Sequence, residues 1–230
     1  MSLLYSTHPQ HNLALLISFL SSGLSGGGDS ESPIFCPAVC DTTLQTDGLW
    51  FYHDKQPVRS LEEMIDVYHK TVGRNCILEL GITPKGNGLL PDSQVARSKE
   101  LGDFIRYCYG NPVYKVSNAT DGCGTHFMHF DPPASIDRIV LMEDQTKGQV
   151  IRSYQVHAKI VDGQTAVVDL PWILVSNGTS IGHKKIDIFR EAINVAEIKV
   201  NSTHVDTPRW RSVLAYLCSG LTNGTYPTTS

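Results

Sequence analysis

The 230-residue sequence is poor in the features that announce common chemistries. It has no Lys/Arg-rich run, and its 19 basic and 23 acidic residues leave a formal net charge of −4. A surface that tracks a phosphate backbone needs clustered cations, so nucleic-acid binding is not expected. The six cysteines, Cys36, Cys40, Cys76, Cys108, Cys123 and Cys218, form no C-x-x-C pair. Pro37 keeps the Cys36–Cys40 segment extended, which would hold those two sulfurs too far apart to bond. The histidines are scattered, and His126 and His129 lack the Glu of an H-E-x-x-H pattern, so neither a metal nor a cofactor is expected. There is no G-x-S-x-G elbow, and the GNG at 86–88 lacks the Lys and Ser/Thr of a phosphate loop. The apolar run LALLISFL, residues 13–20, is far too short to span a bilayer, and no membrane association is expected.

What is present begins with enough apolar residues, 41%, to build a real core. LALLISFL and the small residues after it resemble the core and tail of a signal peptide. No Lys or Arg precedes that run, the first basic residue being Lys55, so a plain loop remains the alternative. Four N-x-[ST] sequons, at Asn118, Asn177, Asn201 and Asn223, all fall in the second half and point to a secreted or lysosomal, glycosylated protein. The Gly/Ser-rich, acidic stretch 25–33 reads as a flexible lead-in.

Regular structure is expected after it. Residues 41–53 read as an extended run with a turn at Asp47-Gly48. Ser60 and Glu63 form a capping box, and Leu61, Met64, Ile65, Tyr68 and Val72 recur at helical spacing up to Gly73. CILELGI, residues 76–82, has the mostly apolar composition of a strand buried on both faces. A second helix starts near Asp92, buries Leu101, Phe104, Ile105 and Cys108, and ends before Gly110 and Pro112. Strand, helix, strand, helix implies parallel strands with right-handed crossovers. From about Tyr114 the pattern changes to short strands at 138–144, 150–160, 165–170, 185–189, 195–200 and 212–218, at the spacing of an antiparallel sandwich.

The candidate chemistry is sparse. LWFYHD, residues 49–54, sets Trp50, Phe51, Tyr52 and His53 in a row, either as a packed strand end or as the wall of a site for a sugar. Glu79 stands in the middle of an apolar strand, where a buried charge is costly; the plainer reading puts it on the strand's wet side. Asp41 and Asp54 flank the aromatic run as turn or cap residues. Composition and spacing stop at a secreted two-part protein of unknown activity.

The pieces PAVCD (37–41), WFYH (50–53), SLEEM (60–64), TVGRN (71–75), CILELGITP (76–84) and GLL (88–90) follow one another in an order that resembles the end of the catalytic barrel in α-L-fucosidases of glycoside hydrolase family 29. Residues 136–154 and 174–187 resemble the β-sandwich attached to that barrel in one branch of the family. The resemblance implies an α/β plus all-β fold: a lead-in at 1–35, the last two units of a (β/α)8 barrel at 36–111, an antiparallel β-sandwich at 112–220 and a tail at 221–230. It implies a retaining glycosidase acting on fucosylated glycans, with Trp50, Phe51 and His53 in the substrate pocket. Both catalytic carboxylates of the family lie upstream of anything matched, so no residue here takes either role and the chain alone is expected to be inactive. Val39, Glu79 and Gly81 depart from the family's Glu, apolar residue and Asn. The alternative is a non-catalytic carbohydrate-binding or structural β-sandwich protein. Nothing in the sequence fixes the oligomeric state.

Overall fold

The computed structural model describes residues 38–119, 124–146, 148–161, 170–204 and 210–218. The lead-in, Cys36, Cys123, Asn223, most of the strand expected at 165–170 and the tail lie outside them.

The first part is strand β1 (Ala38–Thr43), helix α1 (Leu61–Lys70), strand β2 (Cys76–Gly81) and helix α2 (Asp92–Tyr109). The expected capping box starts α1: the Glu63 amide donates to Ser60 Oγ at 3.1 Å, and the Ser60 amide donates to Glu63 Oε2 at 2.7 Å. β1 and β2 pair in parallel, Ala38 opposite Cys76 through Thr43 opposite Gly81. One face of this pair packs on the helices, where Leu80 and Leu44 meet Leu61, Met64 and Leu101. Strand residues two apart share a face. Val39, Asp41, Ile77 and Glu79 therefore share the other face, where Val39 and Ile77 are 47% and 56% exposed. β2 is thus covered on one side only, not on both. A disulfide, Cys40 to Cys76, ties the two strands.

The second part is a six-stranded antiparallel sheet of β3 (Tyr114–Ala119), β4 (Thr125–Glu143), β5 (Ile151–Ile160), β6 (Ile173–Gly178), β7 (Lys185–His204) and β8 (Trp210–Tyr216), in the order β3-β8-β4-β7-β5-β6. The expected short strands at 185–189 and 195–200 are one 20-residue strand, and the one at 138–144 is the end of a 19-residue strand. These long strands are interrupted where they pair. Between His129 and Ala134 β4 advances farther than β7, and between Ile193 and Ile188 β7 advances farther than β4. Asp131-Pro132-Pro133 sits at the first corner, where two prolines offer no ladder donor.

The result is that β7 doubles back. Tyr154 pairs with Ser202, yet its hydroxyl donates to Asp187 Oδ2 at 2.8 Å. A straight strand would separate residues 187 and 202 by about 50 Å. The two halves of the sheet therefore face each other across one core, built on Ile136, Ile139, Tyr154, Ile198, Trp210 and Val213 among others. Burial alternates along the middle of β5: Tyr154, Val156 and Ala158 are buried, Gln155 is exposed and His157 partly so, while a register shift between Ile151 and Ser153 puts buried Ile151 out of that parity.

Two seams join the parts. At the first, Asn75, with φ of 66°, accepts from the His183 amide through Oδ1, while its own amide donates to the Lys184 carbonyl at 2.9 Å. The Ile186 amide donates to the Gly73 carbonyl at 2.9 Å. The Gly and Asn of TVGRN thus hold the sheet against the end of α1. At the second, Arg138 grips Asp137 with two hydrogen bonds of 2.9 Å and donates to the Tyr109 hydroxyl at 3.1 Å. The Cys218 amide donates to Asp137 Oδ1 at 3.0 Å, and a Cys108–Cys218 disulfide closes the seam. Among the described residues no helix is long and apolar enough to cross a membrane.

Candidate functional site

β1 ends at Thr43, and the chain then loops out from the C-terminal end of the parallel pair before α1. An antiparallel bridge between Gln45 and Val58 closes the base of the loop, with the Thr46 amide donating to the Pro57 carbonyl at 3.0 Å and the Arg59 amide to the Leu44 carbonyl at 2.9 Å, and side chains pin the rest. Gln45, 1% exposed, donates from Nε2 to the carbonyl oxygens of Phe51 at 2.8 Å and Leu49 at 3.4 Å. Gln56 donates to Thr46 Oγ1 at 2.6 Å and to Asp47 Oδ2 at 3.0 Å, and its amide donates to the His53 carbonyl at 3.3 Å. Buried Arg59 donates through Nε to the Thr43 carbonyl at 2.8 Å, anchoring the loop's return. Asp47 and Gly48 take φ of 61° and 67°, so the expected turn falls where the dipeptide stands.

This scaffold presents the aromatic run. Trp50 is 46% exposed and Phe51 81% exposed; His53 is exposed, and the Tyr52 hydroxyl donates to Asp54 Oδ1 at 3.1 Å. Because the strand has already ended, the opposite pointing of strand neighbours does not separate Trp50 from Phe51. Trp50 lies against the end of β2: a Cβ on Gly81 would stand 3.1 Å from Trp50 Cζ3. Gly81 gives that ring its seat. The loop after β2 rises at the same end and carries exposed Ile82, Leu89 and Leu90, with Gln94 donating to Thr83 Oγ1 at 2.6 Å to hold its base. Two loops at one end of two parallel strands thus offer aromatic and aliphatic faces to solvent, suited to the apolar side of a small ring.

Asp41 is not a turn residue. It lies within β1, in register with Glu79 of β2, two neighbouring carboxylates on the face away from the helices. Asp54 does sit in the turn. His126 and His129, three apart on β4, fall on opposite faces, and His129 Nδ1 is 3.9 Å from Glu197 Oε2. Among the described residues no three His, Cys, Asp or Glu side chains converge as metal ligands. Asn177 is exposed on β6 and Asn201 half-buried on β7; the side chain of Asn118 lies outside the described residues.

No family model matches the sequence. Individual relatives do. The chain is 26% identical over 210 residues to the Oryza sativa subsp. japonica protein named "Putative alpha-L-fucosidase 1", covering 77% of this chain and 39% of that protein. It is 22% identical over 222 residues to the Arabidopsis thaliana "Alpha-L-fucosidase 1", covering 83% and 42%. The chain resembles part of an α-L-fucosidase. Its fold matches the crystal structure of the "putative alpha-L-fucosidase" of Bacteroides thetaiotaomicron with a TM-score of 0.73 and 29% identity, over 82% of this chain and 42% of that one. A Ruminococcus gnavus family 29 fucosidase, solved in complex with fucose, shares the fold with a TM-score of 0.67 at 18% identity, over 83% of this chain and 43% of that one. The chain therefore spans about two-fifths of the length of the α-L-fucosidases it resembles.

The glutamine clamps, Gln45 and Gln56, are the components of the site that sequence reasoning missed. A glutamine between a strand and a turn carries no motif; only its buried contacts reveal the role.

Proposed function

We propose that the chain is the C-terminal part of a retaining α-L-fucosidase of glycoside hydrolase family 29. In this reading residues 36–111 are the last two units of a (β/α)8 barrel and residues 112–220 a C-terminal antiparallel β-sandwich. The observation that carries it is the aromatic loop at the C-terminal end of a parallel pair whose helices lie on one face, because βα-loops at that end build the active site of such barrels. The open face with Val39 and Ile77 supports it, since a closed barrel packs that face as its interior. The doubled sheet supports the sandwich.

In the complete enzyme, one carboxylate attacks the anomeric carbon of α-linked L-fucose while a carboxylic acid protonates the leaving oxygen; water then hydrolyses the glycosyl-enzyme. This chain contributes wall rather than chemistry. Trp50 and Phe51 cover the apolar side and methyl group of the sugar, and His53 offers a hydrogen bond. Asp41 and Glu79 take neither catalytic role, since the family places both carboxylates upstream. The substrate is a fucosylated glycan, as the fucose bound to the Ruminococcus gnavus protein supports. The protein is secreted or lysosomal, which the sequons and the two disulfides support.

The test is an assay of the purified 230-residue chain on an aryl α-L-fucoside. No aryl alcohol is released if the chain supplies only part of the site; release catalysed by this chain would overturn the reading.

A further inference from the structure

The sheet bears a polar groove far from the aromatic loop in the chain. Gln155 of β5 pairs with Asn177 of β6 on one side and with Asn201 of β7 on the other, so three amide side chains stand in a row across three strands. Ser153 and Thr203 hydroxyls, 2.6 Å apart, extend the groove, and Gly178 and Thr179 line it beside Asn177. The row contains two of the four sequons, and the structure treats them differently. Asn201 is half-buried in a strand paired on both sides, and its Oδ1 accepts from Thr125 Oγ1 at 3.2 Å. Asn177 is exposed near the end of β6, the outermost strand on that side among the described residues. Gly178, the middle residue of its sequon, is held against the Tyr154 ring, where a Cβ would lie 2.6 Å away. Asn177, in register with exposed Gln155, and Thr179, just beyond the end of β6, are both exposed on either side of it. On the same face Leu174, in register with His157 as Asn177 is with Gln155, is 49% exposed, an uncovered apolar side chain on an outer strand.

We propose that Asn177 carries an N-linked glycan whose first sugars lie along the groove over Gln155 and shield Leu174. Hydroxyl and amide groups in the floor suit the hydroxyls and acetamide of an N-acetylhexosamine. In the modification, Asn177 Nδ2 bonds to the anomeric carbon of a lipid diphosphate-linked oligosaccharide. The carbon–oxygen bond to the diphosphate breaks, the lipid diphosphate leaves with that electron pair, and one amide proton goes to solvent. The inference rests on the secretory reading and is independent of fucosidase activity.

The experiment directs the full chain into the lumen of a eukaryotic host behind a cleavable leader, which separates this claim from the chain's native destination. Release of the glycan in heavy-oxygen water by an amidase that hydrolyses the Asn side-chain amide, followed by peptide mass spectrometry, reads the site. The expected result is an isotope-marked Asp at position 177, lost in both Asn177→Gln and Thr179→Ala. Both variants should scatter more light at equal concentration than the wild type. Thr179→Ala keeps the asparagine, so a purely structural role of Asn177 would raise scattering in N177Q alone. An unmodified Asn177 in chains that have formed the Cys40–Cys76 disulfide overturns the proposal, as does scattering unchanged in Thr179→Ala.

Discussion

Acidification should loosen the seam between the helices and the sheet through one residue, His69. Its Nε2 lies 2.6 Å from the Tyr109 hydroxyl, which accepts from Arg138 and has its own proton free to give to a neutral imidazole. Burial first, and then the Arg138 guanidinium, push the imidazole down to about 4, while Asp66 and Asp137 oppose this weakly. Burial pushes the Tyr109 phenol up to about 12, so the phenol keeps its proton throughout. The unfolded chain binds a proton at His69 near the ordinary value of about 6.5, so between that value and about 4 it holds more protons than the native state. Stability from this group is therefore complete above about pH 7 and is lost as pH falls. Linkage gives a loss of roughly 2 kcal/mol between about pH 7.5 and pH 5, and roughly 3 kcal/mol by pH 4. The assay is urea unfolding of the wild type and of His69→Gln across that range, because carboxylates titrate in both and cancel in the difference. The variant should start less stable, with Tyr109 left to a poorer acceptor, and the gap should close by about 2 kcal/mol on reaching pH 5. Parallel pH profiles would refute the reasoning.

Other outcomes follow from the same contacts. Gln45→Ala removes the amide that holds the Phe51 and Leu49 carbonyls, and should cost about 1–2 kcal/mol and speed proteolytic cleavage within residues 49–54, read by mass spectrometry. Gly182→Ala puts a Cβ onto the Asn75 amide at a φ of 62°, and should destabilise by more than about 1 kcal/mol in thermal unfolding. Cys108→Ser opens a disulfide spanning 110 residues and, on the chain-entropy model, should cost about 5 kcal/mol in denaturant titration.

The helices were legible because their signals are local. Ser60 and Glu63 are three residues apart, and the apolar stripe of α1 repeats within ten residues. The long strands were not legible. β4 contains Asp131-Pro132-Pro133 and β7 contains Arg190-Glu191, which read as breaks, whereas each strand continues past its interruption by pairing with the other. Buried polar residues are hidden in the same way. Asp137, Arg138, Glu143 and Asp187 look wet in a one-dimensional pattern, yet all are buried and bonded to groups distant in sequence. Glu143 illustrates the cost: burial raises its carboxyl's pKa while the Val150, Ile151 and Gly182 amides hold it down.

For the site, the aromatic run could be found by composition alone, but not its posture. That Trp50 and Phe51 both face solvent depends on β1 ending at Thr43 and on Gln45 reaching forward six residues. Asp41 was misplaced because Asp before two threonines looks like turn chemistry, and its parallel partner Glu79 lies 38 positions on, across a helix. Gly81, a departure from the family pattern, gained a reason only from the Trp50 ring beside it.

Whether this chain is one part of a longer barrel enzyme is read straight from the sequence of its transcript's 5′ end. The expected result is an open reading frame continuing upstream of Met1 into further strand–helix units that carry the two catalytic carboxylates. A capped transcript whose reading frame opens at Met1 would contradict it.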